Sequence, residues 1–127
     1  MTVLLRLTGV ALTATMAAIH LYLWGDGYRY LATIGVLFLL NGIVGCVLAA
    51  ALLVTPARFL EPVAAVTALF TAGTLGALVL SLTTGLFGFK EVVEANLVVP
   101  TLAVETAGVL VLAALPLRGW AARRRDS

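Results

Sequence analysis

Glu105 stands alone as a charged residue in an apolar run from Leu97 to Leu117. A carboxyl in that setting can hold a proton, coordinate a cation or, when neutral, donate a hydrogen bond. A charge facing acyl chains is costly, so this group must face something other than lipid. Four further side chains can share a layer with it: His20, Asn41, Ser81 and Thr84. Helix rise is about 1.5 Å per residue, which puts Glu105 and Asn41 about 12 Å deep from the outer side of the membrane and His20 about 6 Å deep, an expected outer-leaflet layer. Ser81 and Thr84 fall in the same half of their own run. The expected layer has Glu105 and Asn41 below and His20, Ser81 and Thr84 above, with a neutral Glu105 able to donate to Asn41.

Each of these residues also has a plain structural reading. Asn41 can join two helices by a hydrogen bond of about 0.6–2 kcal/mol. His20 lies close enough to the interface to be simply amphipathic. Serine and threonine can bond carbonyls one turn back on their own helix. Glu91 and Glu94, beside Lys90, read as a solvated rim or as a cation-attracting mouth above Glu105. No metal site is expected, because His20 with Glu94 or Glu105 supplies too few ligands and matches no zinc spacing. One histidine cannot give both axial ligands of a haem within one chain. No glycine-rich phosphate loop or nucleophile elbow is present, so neither a cofactor nor catalysis is expected.

The elements that must position these groups are set by composition. Hydrophobic residues make up 62% of the chain and charged residues 11%, against roughly 45–50% and about 25% in a soluble domain. Four apolar stretches approach the ~20 residues that cross a bilayer. They cover 3–24, 31–53, 63–86 and 97–117, with a basic tail over 118–127, all within one transmembrane domain, 1–127. They lack the alternation of strands. Short connections predict an all-α, antiparallel, up-down four-helix transmembrane bundle. The first stretch has a rival reading as a signal peptide, but its length, His20 and the Trp24 anchor favour a span.

Arg6, Arg58, Arg118, Arg123, Arg124 and Arg125 fall on one side of this bundle, Arg29 and Lys90 on the other. That bias predicts both termini on the cytoplasmic side of the cell's inner (plasma) membrane. The Arg123-Arg124-Arg125 tail reads first as a topology signal and second as a contact for anionic lipid. It is too small a footprint for nucleic acid. Cys46, the single cysteine, reads as a buried packing residue.

Local signals complete the pattern. Gly25-Asp26-Gly27 marks a turn. Thr55-Pro56 reads as an N-cap followed by proline, starting a short interfacial turn over 56–61 with Arg58 and Glu61 spaced to pair. Small and polar residues recur at helical spacing on each run. They are Gly9, Thr13, Met16 and His20; Asn41, Gly45 and Ala49; Thr67, Thr71, Thr74 and Ser81; and Thr101, Glu105 and Gly108. Such faces let transmembrane helices approach closely. Gly73 and Gly76 read as packing residues too.

The segments Ile19–Trp24, Ile34–Asn41 and Gly85–Glu91 resemble those of small four-span membrane proteins from high-GC Gram-positive bacteria. That resemblance covers most of the chain and implies no particular activity. Size and span count are also similar to fluoride channels and small multidrug transporters. The phenylalanine-box pattern of the former is missing, and so is the first-helix glutamate of the latter, whose counterpart here is Glu105 in the last helix.

Three functions stay open. The first is a non-enzymatic helix-packing accessory or scaffold subunit, associating with itself or with a larger membrane complex. The second is a small transporter or proton- or cation-conducting pore using Glu105. The third is a protein that binds a lipid or quinone in the polar layer.

Overall fold

The computed structural model describes residues 1–127. Four helices carry the fold: α1 Thr2–Asp26, α2 Ile34–Val54, α3 Leu60–Leu82 and α4 Val98–Asp126. No strand is present, and each helix is long and apolar enough to cross a membrane. The chain is therefore an all-α four-helix bundle and a small multi-pass membrane protein. Its lipid-facing positions hold large apolar residues such as Val36, Leu40, Val47, Leu69 and Leu110.

Glycine sets the closest contact. At Gly45 an added Cβ would lie 2.9 Å from the Ala17 Cβ, and at Gly42 it would land on Leu21. These pairs also fix α1 and α2 as antiparallel. Gly9 against Leu112, with Gly108 near Leu12, does the same for α1 and α4. Gly108 against Thr71 pairs α4 with α3. The helices thus run in the spatial order α2, α1, α4, α3. The remaining side is open: α2 and α3 follow one another in sequence yet barely meet. An ordinary up-down bundle would close that side.

The two ends of the bundle differ in chemistry. At the end bearing the termini, Leu52, Leu60, Ala64, Ala68, Leu112 and Leu115 form a dry apolar core. Arg6 reaches across it to the C-terminus of α2, donating to the carbonyls of Thr55 (2.8 Å) and Leu52 (3.4 Å). The last carbonyls of a helix have no partner within it and carry partial negative charge, so a guanidinium stabilises them. Changing Arg6 to methionine is expected to lower stability by about 1–3 kcal/mol. Arg58→Met should leave it within about 0.5 kcal/mol, since exposed Arg58 only stacks over Phe59. Thermal unfolding in mild detergent reads both.

Several expected details differ. α1 runs two residues past Trp24 and stops where Gly27, at φ 147°, takes a conformation L side chains rarely adopt. α2 begins at Ile34 rather than Leu31 because a 3-10 turn occupies Tyr28–Tyr30. α3 begins before Pro62, which the first turn tolerates because its N–H groups have no helical partner. It ends at Leu82, four residues earlier than expected. α4 continues through the basic tail to Asp126 despite Pro116.

The short turn after Pro56 spans Ala57–Phe59. Thr55 does not cap it; its N–H instead closes α2 on the Ala51 carbonyl. Glu61 pairs with Arg123 at 2.9 Å rather than with Arg58. That pair is solvent-exposed and contributes little, about 0.2–1 kcal/mol. Cys46 is exposed on α2, not buried as expected.

Candidate functional site

The splay between α2 and α3 leaves a cavity of about 400 Å³ in the half of the bundle away from the termini. Fifteen of its 22 lining residues are hydrophobic, which suits a site that takes up the apolar part of a guest. The polar minority comes from every helix and from two loops. His20 comes from α1, Asn41 from α2, Thr74 and Ser81 from α3, and Thr101 from α4, with Tyr28 and Glu91 from the two loops above.

The loops close one end. Gly35 lets the Tyr28–Tyr30 turn lie on α2, because a Cβ there would sit 2.8 Å from the carbonyl oxygens of Tyr28 and Arg29. The Tyr28 ring stacks on Phe38 at 4.5 Å and meets Phe89 edge-on at 5.9 Å. Across the gap, the Glu91 N–H bonds to the Ser81 carbonyl at 2.7 Å, which folds the α3–α4 loop inward. The Glu91 carboxylate then accepts from the Tyr28 hydroxyl and from the Val92 N–H. Tyr28 and Glu91 thus latch the first loop to the third. Burial, reinforced by the hydrogen bond to Glu91 and its negative charge, pushes the Tyr28 phenol well above its ordinary range.

The sign follows from linkage. The folded state keeps a proton on Tyr28 that the unfolded chain releases near pH 10. This stabilisation is complete below about pH 10 and is lost as pH rises through the higher folded value. Tyr28→Phe should therefore flatten the loss of stability above about pH 10. Chemical unfolding at several alkaline pH values measures it. An unchanged slope would mean the latch is not closed in the membrane.

Beneath the cavity lies Glu105, fully buried on α4. Its carboxyl oxygens have no hydrogen-bond partner. The nearest polar neighbour identified is His20, with Nε2 3.9 Å from Oε2. His20 Nδ1 lies 2.9 Å from the Met16 carbonyl. A carbonyl only accepts, so Nδ1 carries hydrogen, and Nε2 is the nitrogen turned toward Glu105. The two groups are close enough for an ion pair and too far apart for a direct hydrogen bond. A single proton shared between them would leave the pair neutral overall.

Asn41 does not pair with Glu105 as expected. Its Nδ2 donates to Thr74 Oγ1 at 2.8 Å, linking α2 to α3 at the cavity wall. Its Oδ1 is buried without a partner, as is Thr13 Oγ1. Buried polar groups are nearly always paired, so four orphaned oxygens in one small bundle call for a physical reason.

His20, Asn41 and Ser81 therefore line one cavity, with Glu105 just behind it. Thr84 does not join them; it lies past the end of α3, exposed. Glu91 and Glu94 separate: Glu91 is 8% exposed and faces inward, while Glu94 stays on the surface. Arg123, Arg124 and Arg125 lie exposed at the opposite end, Arg124 over the Trp120 ring.

Sequence reasoning missed the roles of Tyr28, Phe38 and Phe89. As lone aromatics near an interface they are indistinguishable from belt residues. Thr74 was legible as part of a polar stripe but not as the partner of Asn41. Gly73 and Gly76 meet no atom within 4 Å of an added Cβ, so they are not packed within the chain as expected. Gly73 instead forms part of the cavity wall. No protein-family model, no curated protein and no solved structure matches this chain.

Proposed function

We propose that this membrane protein binds an amphipathic molecule drawn from the bilayer, a lipid or quinone-like compound, in the cavity between α2 and α3. It would act as a binding protein without a reaction of its own. The observation that carries this reading is the cavity itself: apolar walls, a polar minority that runs from the loop end down to Asn41 and Thr74, and a lateral side where two helices fail to close. A pocket of this size suits a small ligand or a single chain and head, not a whole two-chain lipid.

Native mass spectrometry after gentle extraction tests it. The expected result is a retained non-covalent adduct of a few hundred daltons. A bare protein, repeatedly and in several mild detergents, would count against the reading.

A second reading, proton or cation movement, draws on the Glu105–His20 contact behind the cavity. Flux in proteoliposomes should then fall at least tenfold in Glu105→Gln, and equal flux removes it. The reading as an accessory subunit draws on the open Gly73–Gly76 face of α3, a surface suited to close packing by another helix. Cross-linking in native membranes would show the partner, or a second copy, as a discrete band.

A further inference from the structure

We infer that the guest's head group is a hydrogen-bond donor, a hydroxyl or an ammonium, and that anionic heads are rejected. This rests on the cavity being a binding site for an amphiphile.

The polar side chains of the wall have few hydrogens left to give. Each hydroxyl has one hydrogen to give. Thr74 gives its hydrogen to the Phe70 carbonyl at 3.0 Å, Ser81 to Leu78 at 2.7 Å, and Thr101 to Leu97 at 2.6 Å. The Tyr28 hydroxyl is committed to Glu91, and His20 Nδ1–H to Met16.

Asn41 follows from Thr74. The Thr74 hydrogen is already used, so its oxygen accepts from Asn41, which fixes the amide with Nδ2 toward α3. The orphaned atom is then Oδ1, an acceptor. One Asn41 N–H is the single side-chain hydrogen left over on the polar wall. Against it stand the lone pairs of Ser81, Thr74 and Thr101 and the Glu91 carboxylate, while the Asn41 Oδ1 is itself closed off from the cavity.

Charge points the same way. Glu91 brings a negative group to the cavity with no cation bonded to it. The basic residues of the neighbouring loops, Arg29 and Lys90, are exposed, and Arg29 is engaged with the Trp24 and Tyr30 rings. A phosphate or carboxylate head would meet like charge in a poorly screened space. A donor head would find an acceptor at the loop end, the Ser81 hydroxyl oxygen or the Glu91 carboxylate.

A matched series tests this in the full protein reconstituted in nanodiscs: dodecanol, dodecyl methyl ether, dodecanoate and dodecylamine. The tails are equal, so only the heads differ. Retention, read by native mass spectrometry, should favour dodecanol or dodecylamine over the ether and dodecanoate by about fivefold or more, the weight of one net hydrogen bond. Glu91→Gln separates the two donors, weakening the amine and sparing the alcohol. Ser81→Ala should narrow the alcohol-to-ether ratio, and Thr101→Val serves if that variant does not fold. Ether or dodecanoate held as well as the alcohol and amine would overturn the proposal while leaving the cavity as a site. An unchanged ratio in both folded variants would overturn it too. Retention of none of the four would remove the binding reading and this inference with it.

Discussion

Gly42→Leu is expected to lower the stability of the bundle by about 3 kcal/mol, near the upper range for overpacking a close interface. Even a methyl group at this position would collide with Leu21, and leucine adds three more carbons. Gly45→Leu should behave alike against Ala17, whose Cβ sits on a stiff backbone. The internal comparison is Gly76→Leu. That glycine faces open space, so leucine should leave stability unchanged or raise it by up to about 1 kcal/mol through helix propensity alone. Thermal midpoints and gel filtration of the three variants in one detergent decide it. Equal losses at all three positions would mean that α3 packs where the structure leaves it open.

Glu105→Leu is expected to do the opposite and raise stability, by about 1–3 kcal/mol, because it removes two buried oxygens that have no hydrogen-bond partner. His20→Leu should lower it by a similar amount, since Glu105 then loses its nearest polar neighbour. Reversible unfolding of both single variants and the double variant gives the coupling between them. A strong destabilisation by Glu105→Leu would show instead that the carboxyl is satisfied in the membrane and holds the bundle together. A group that weakens the fold where it sits is explained more readily by function than by packing.

How much could be read from the residues alone follows from the same contacts. Four spans were legible because apolar composition over about 20 residues has few other meanings. The shelter around Glu105 was legible as well, since a lone carboxyl in hydrocarbon must turn inward. Thr84 was not, because its place three residues after Ser81 continues a helical stripe only if the helix continues. α3 stops at Leu82, and the chain bends away through Gly85 at φ 93°.

Glu91 was legible as a charge near the surface but not as a group folded inward. Its position depends on the loop path, in which Phe87 and Leu97 adopt positive φ without being glycine. No residue type announces that path. Small residues were ambiguous in another way. Gly42 and Gly45 mark a tight contact, while Gly73 and Gly76 mark an open wall, and the same spacing describes both. Which helices meet depends on the angle at which α2 and α3 leave the short Pro56 turn, and the periodicity of either helix does not encode it.

If the space between α2 and α3 receives a guest from the membrane, filling that space must displace the guest. Gly73 offers the most direct test, because it lines that space and has room for a side chain. Dodecanol retention should be compared in wild type, Gly73→Leu and Gly76→Leu, all folded and in the same nanodiscs. Leucine at position 73 is expected to lower retention at least tenfold, while leucine at position 76, outside the cavity, leaves it intact. Equal retention in all three proteins would contradict binding in that space.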